Sequence, residues 1–169
     1  MLVVDASVTM TWCFADEAHA ASEAVFHRVL RERMIVPAHW LLEVTNVVGR
    51  HERQGRLTAD DRGRFFRLLQ DARAKRRLRI EPLDERLIFG RVWDLSQQYG
   101  LTTYDAAYLE LASRRGLALA TYDTALQKAA AAEGVALVGD APAPPSPEPI
   151  TRTGGPSAPD VSDGRGPGQ

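Results

Sequence analysis

The chain has 169 residues and a formal net charge of -1, so it is long enough for one domain with a real core, and its global charge points to no nucleic-acid partner. A single cysteine, Cys13, excludes an internal disulfide and fits a reducing cytoplasm. No segment reaches membrane-spanning length, and the opening stretch lacks the basic and apolar regions of a signal peptide, so a cytoplasmic protein is expected.

In chain order, Leu2-Val3-Val4 reads as a short buried strand stopped by Asp5. Ala6 to Phe14 reads as a first helix, in which Cys13 is a small buried hydrophobe. Ala18 to Arg33 is a clearer helix. Met34-Ile35-Val36 is a second strand ended by Pro37. A helix follows from about Ala38 to Gln54, closed by Gly55. Thr58, Asp60 and Asp61 open another, reaching about Ala74.

Leu78 to Glu81 reads as a third strand. Asp84 to Tyr99 reads as a helix with Leu87, Ile88, Trp93 and Leu95 near one face. Thr103 to Arg115 is helical and stopped by Gly116. Leu117 to Ala120 is a strand, Thr124 to Glu133 a helix and Val135 to Val138 a last strand. Strands alternating with helices predict an α/β fold, a parallel sheet with helices on both sides. Ligands of such sheets bind beyond the carboxyl ends of the strands.

The folded domain is expected over residues 1–140. Residues 141–169 hold eight of the ten prolines and no Leu, Phe, Tyr or Trp. That composition cannot bury enough apolar surface to fold, and a disordered tail is expected. From Arg50 to Arg79, eleven Arg or Lys stand against four Asp or Glu. This basic stretch suits RNA phosphates, an acidic protein partner or plain solvation. The apolar residues Phe65, Phe66, Leu68 and Leu69 suit internal packing or a protein contact.

Four carboxylates carry the chemistry. Asp5 follows the first strand and Asp123 lies just past the Leu117–Ala120 strand, so both are expected at the crevice. Asp105 sits in the first turn of its helix. Each of these three also reads as an ordinary helix cap, and Thr102-x-x-Asp105 matches a capping box. Glu43 is less easily explained. It falls at the edge of the apolar arc of Trp40, Leu41, Val44, Val47 and Val48, where a carboxylate wants a partner.

Four converging acids would raise one another's pKa, and a divalent cation would relieve that repulsion. Oxygen ligands suit Mg²⁺ or Mn²⁺ rather than Zn²⁺. Such an ion can activate water and orient a phosphodiester. Ser7 is placed to assist, or is simply a first-turn residue. The four histidines (His19, His27, His39 and His51) show no ligand-like spacing, and His27 and His51 are expected at helix surfaces. No Gly-rich phosphate loop and no nucleophile elbow is found.

Four segments together resemble the PIN-domain nucleases, specifically the VapC-type toxins. They are Val3-Val4-Asp5-Ala6-Ser7, Leu42-Glu43-Val44-Thr45-Asn46-Val47-Val48, Gly100 to Tyr108 around Asp105, and Leu119 to Leu126 around Asp123. Gln54-Gly55-Arg56-Leu57 is also similar to a family segment. The match runs in order over about residues 2–138. Tyr122 departs from it, where a smaller or more polar residue is expected.

The resemblance implies a PIN-like three-layer α/β/α sandwich with a central parallel sheet. It implies a type II toxin that is a Mg²⁺- or Mn²⁺-dependent endoribonuclease, leaving a 5′-phosphate and a 3′-hydroxyl. The metal ligands would be Asp5, Glu43, Asp105 and Asp123, with Ser7 accessory. The implied partners are an RNA substrate, a small cognate antitoxin that sends Arg or Lys to the acids, and a second copy in a homodimer. Alternative readings are a PIN-domain RNA-processing nuclease that is not a toxin, an acid-cluster phosphohydrolase, and a non-catalytic interaction module.

Overall fold

The computed structural model describes residues 1–13 and 20–138. Four strands, β1 (Leu2–Val4), β2 (Met34–Pro37), β3 (Leu78–Glu81) and β4 (Leu119–Ala120), form one sheet in the order β3-β2-β1-β4. All pairings are parallel, with Leu2 opposite Met34, Met34 opposite Leu78, and Val3 opposite Leu119. Helices cover both sides of the sheet. This explains why β1 is a continuous β-branched and apolar run with every residue buried.

The helices are α1 (Ala6–Thr11), α2 (Ala20–Glu32), α3 (Trp40–Arg53), α4 (Ala59–Ala74), α5 (Glu85–Leu87), α6 (Trp93–Tyr99), α7 (Thr103–Arg115) and α8 (Thr124–Ala132). The apolar helix α7 crosses β1 and β2, α1 packs on α3, and α4 lies against β3. Trp40 is fully buried, and its indole N–H donates to Thr9 Oγ1 at 3.2 Å, which satisfies that buried donor. Thr58 and Asp61 close a reciprocal capping box at the start of α4.

The structure corrects several expectations. The single helix expected from Asp84 to Tyr99 is broken by a π turn, Ile88–Val92, where Gly90 (φ -105°, ψ -109°) leaves helical geometry. An extra residue in a helical turn rotates the next face by roughly 100°. Val92 and Leu95 are therefore buried, while Ile88, Phe89 and Trp93 are exposed. The strand expected from Leu117 shortens to Leu119–Ala120. Val135 to Val138 contributes only one parallel bridge, Leu137 to Leu119, rather than a full strand.

His51 is buried rather than superficial, because it follows Trp40, Val44 and Val48 on the inner face of α3. Cys13 is half-buried against the core. Phe65 is buried, Phe66 and Leu69 pack partly against the core, and Leu68 is exposed. Phe14, the first residues of the helix expected from Ala18, and the 141–169 tail lie outside the described residues. No helix among the described residues is long and apolar enough to cross a membrane.

Candidate metal centre

Strand β1 ends at Val4 and delivers Asp5 to the carboxyl edge of the sheet. The Asp5 N–H donates to Ala120 O at 3.0 Å, which fixes the residue between β1 and β4. Asp5 occupies the N-cap position of α1 without a side-chain cap bond. Its Oδ2 instead accepts from Ser7 Oγ and from Thr121 Oγ1, both at 2.7 Å. Those hydroxyls are themselves oriented. Ser7 Oγ accepts from the Tyr122 N–H at 3.2 Å, and Thr121 Oγ1 from the Asp123 N–H at 3.0 Å. Burial raises the Asp5 pKa, the two hydroxyls oppose that rise, and the Asp105 charge adds to it.

Glu43 lies in the first turn of α3. Its partner is the buried Tyr108 on α7, whose hydroxyl donates to Glu43 Oε2. Burial pushes the Glu43 carboxyl up to about 7; the Tyr108 bond pulls it down, and the charges of Asp5 and Asp105 push it further up. His39, one turn earlier, places Nε2 3.4 Å from the same Oε2. Its ring lies 5.5 Å from that of Tyr104 and 5.0 Å from that of Tyr108. Burial lowers the His39 pKa to about 4, so the imidazole is neutral at pH 7.

Asp105 stands at the start of α7, where Thr102 is the N-cap. Thr102 Oγ1 accepts from the Asp105 N–H at 3.1 Å and donates to Asp105 Oδ2 at 2.6 Å. The Asp105 pKa is raised by burial, with the Asp123 charge adding to the rise and Thr102 opposing it. Asp123 is exposed and caps α8, its Oδ1 accepting from the Leu126 N–H at 2.7 Å.

Thr121 thus joins the Asp5 side chain to the Asp123 backbone at the carboxyl edge of the sheet, and the acids lie within electrostatic reach of one another. Asp5 feels Asp105, Glu43 feels both, and Asp105 feels Asp123. Among the described residues, no three acids, histidines or cysteines form a preformed chelating group. The acid oxygens are held by hydroxyl and amide donors. A set of carboxylates fits a hard divalent cation in chemistry, since the donors are oxygens, and burial raises the pKa of Asp5, Glu43 and Asp105.

Sequence reasoning missed three side chains that hold this crevice together. Thr121 lies two residues before Asp123. Tyr108 is one helical turn after Asp105, and His39 is one turn before Glu43. The last two spacings place side chains on one helix face and were readable. Tyr122, the residue that departs from the family pattern, is buried.

The chain is similar to several solved structures. One is PAE2754 from Pyrobaculum aerophilum, with a TM-score of 0.58, 22% identity, and coverage of 81% of this chain and 88% of that one. Another is FitAcB from Neisseria gonorrhoeae, with a TM-score of 0.55, 19% identity, and coverage of 82% and 97%. A toxin–antitoxin complex from Klebsiella pneumoniae gives a TM-score of 0.49 at 17% identity, covering 73% and 88%. No curated protein matches the chain. The PIN domain family model matches residues 2–132. These 131 residues contain all four acids and every strand of the sheet, and the chain belongs to the PIN domain family.

Proposed function

We propose that this chain is the toxin of a type II toxin–antitoxin pair, a cytoplasmic endoribonuclease that hydrolyses RNA phosphodiester bonds with Mg²⁺ or Mn²⁺. PIN-domain proteins are generally nucleases that use divalent metal ions. The observation that carries the reading is the hydrogen-bonded setting of the four acids at the carboxyl side of a parallel sheet: Ser7 and Thr121 on Asp5, Tyr108 on Glu43, Thr102 on Asp105, and Thr121 joining the Asp5 side chain to the Asp123 backbone. The toxin assignment rests on the ordered resemblance of the four motifs.

Asp5, Glu43, Asp105 and Asp123 would hold the cation. When bound, it would supply an activated water and stabilise charge on the phosphate oxygens. The rest of the work belongs to the protein. Ser7 and Thr121 aim Asp5, and Tyr108 aims Glu43. Thr102 holds Asp105 while ordering the first turn of α7. His39, neutral and wedged between two tyrosine rings, fills the space beside Glu43.

The same acids would attract an Arg or Lys presented by a small cognate antitoxin. Leu42 and Tyr104 are exposed next to Glu43 and Asp105 in sequence and offer apolar surface for that partner. Phe89 and Trp93, exposed by the π turn, offer a face for a second copy in a homodimer.

The test is cleavage of total RNA by the purified chain with Mg²⁺ or Mn²⁺, with and without a chelator, alongside the Asp5→Ala variant. The parent should cut only with the cation, and Asp5→Ala should be inactive. Expression of the parent should arrest bacterial growth, and coexpression of a neighbouring small gene should relieve it. Equal cutting by Asp5→Ala would sink the metal site. Cleavage without growth arrest would favour a processing nuclease over a toxin.

A further inference from the structure

The opposite edge of the sheet holds a second feature that the carboxylate crevice does not use. Where β1, β2 and β3 begin, a cavity of about 400 Å³ is lined by Arg33, Arg73, Arg76 and Arg79 over Met34 and Leu78. Because the sheet is parallel, this is the end away from Asp5 and Asp123. Arg79 is shared with Glu81 at 3.2 Å. Arg33, Arg73 and Arg76 make no ion pair among the described residues. Arginines elsewhere, such as Arg28, Arg62, Arg91 and Arg114, are each paired with a carboxylate.

The backbone makes the same point independently. Arg33 (φ 75°) and Arg76 (φ 56°) are the two non-glycine residues with positive φ among the described residues. Both follow a helix and lead into a neighbouring strand, at the end of α2 and of α4. Among the described residues, four other turns fill the left-handed position with glycine: Gly55, Gly100, Gly116 and Gly134. Glycine is the unstrained choice there. At the two turns that line the cavity, the chain carries a guanidinium instead, against the backbone preference.

We propose that this cavity is an anion site that takes the phosphate groups of a nucleotide, free or within an RNA strand. Planar guanidinium groups grip phosphate oxygens in pairs and stack on bases, and the apolar floor of Met34 and Leu78 suits a base or ribose face. The volume falls in the range of small-ligand pockets, about 300–1,000 Å³. The site stands apart from the ribonuclease reading, since it needs neither the acids nor a metal.

The test is calorimetry on the full chain in EDTA, so that no RNA is cut, with tripolyphosphate, adenosine triphosphate and a short 5′-phosphorylated oligouridylate as probes. One-to-one binding is expected. Arg33→Gly with Arg76→Gly should weaken it by about tenfold or more. The same double variant should melt about 2–4 °C higher, because both turns lose left-handed strain. Loss of binding in a protein that is more stable excludes misfolding as the cause. Arg64→Ala, which removes an arginine paired with Asp61 away from the cavity, should bind like the parent.

Equal affinity for adenosine triphosphate and the oligonucleotide assigns the site to a free nucleotide. Preference for the oligonucleotide assigns it to a nucleotide in a strand. The proposal is overturned if no phosphate probe binds, if the double variant binds as tightly as the parent, or if hexaglutamate displaces the phosphates and shows the partner to be an acidic protein segment.

Discussion

At the scale of single residues, the crevice depends on neutral side chains that aim charged ones. Thr121 donates to Asp5 and accepts from the Asp123 N–H, so one hydroxyl couples two acids. Thr121→Val should lower Mn²⁺ affinity by roughly tenfold to a hundredfold, the usual cost of losing an outer partner of a metal ligand. Calorimetric titration with Mn²⁺ checks this, and an unchanged affinity would remove Thr121 from the site.

Glu43 sets a pH dependence. Its carboxyl is pushed from 4.5 up to about 7 in the folded chain, chiefly by burial. The folded state therefore binds the proton more tightly than the unfolded state. The group imposes no penalty below pH 4.5, and its penalty grows until pH passes about 7. Asp5 and Asp105 are raised too and act in the same direction. In EDTA, the melting temperature should fall across this window, and Glu43→Gln should flatten part of the fall. With Mn²⁺ present the order reverses. The cation competes with the proton, so Mn²⁺ should bind more tightly at pH 8 than at pH 6, and Glu43→Gln should bind it poorly.

At the scale of elements, two helices open with similar threonine caps that do different work. Thr58 and Thr102 each accept from the backbone N–H and donate to the side chain of the Asp three residues on, Asp61 and Asp105, but only Asp105 belongs to the candidate metal centre. Thr58→Ala and Thr102→Ala should each cost about 1 kcal/mol of stability. Only Thr102→Ala should also weaken Mn²⁺ binding. Thermal melts and metal titrations on both variants separate the two roles; a loss of metal affinity in Thr58→Ala would deny the distinction. The π turn at Gly90 is the other element-level lesson. Periodicity across residues 84–99 predicts a buried stripe containing Trp93, but one extra residue moves Val92 inward and Trp93 out.

At the scale of the whole molecule, one parallel sheet and the helices around it bring four acids from different parts of the chain within electrostatic reach of one another. Binding a cation to the folded state alone should stabilise the entire domain. At a hundredfold excess over Kd, Mn²⁺ should raise the melting temperature by about 5–10 °C. Asp5→Asn should abolish that rise. A parent chain that melts at the same temperature with and without Mn²⁺ would show that the acids hold no ion.

Most of the framework was legible in the sequence. Short β-branched runs, helix stops and cap residues act locally, so β1, α4, β3 and α7 have the limits expected from them. The position of Asp5 after the first strand and of Asp123 near the fourth follows from the same local signals. The short edge elements were less legible. Leu137 makes a single bridge to Leu119, because ladder length depends on a neighbour, not on apolar content alone.

The carboxylates of the opening motifs were therefore determined as candidates by sequence, in order and in spacing. Only the tertiary structure decided what holds them. Thr121 reaches Asp5 across 116 residues, and Tyr108 reaches Glu43 across 65. The arginine cavity is of the same kind, since α2 and α4 deliver Arg33 and Arg76 to adjacent strand starts. Periodicity reports which face of a helix or strand is buried. Which side chain meets that face depends on how the sheet orders its strands, and that is settled only when the chain packs.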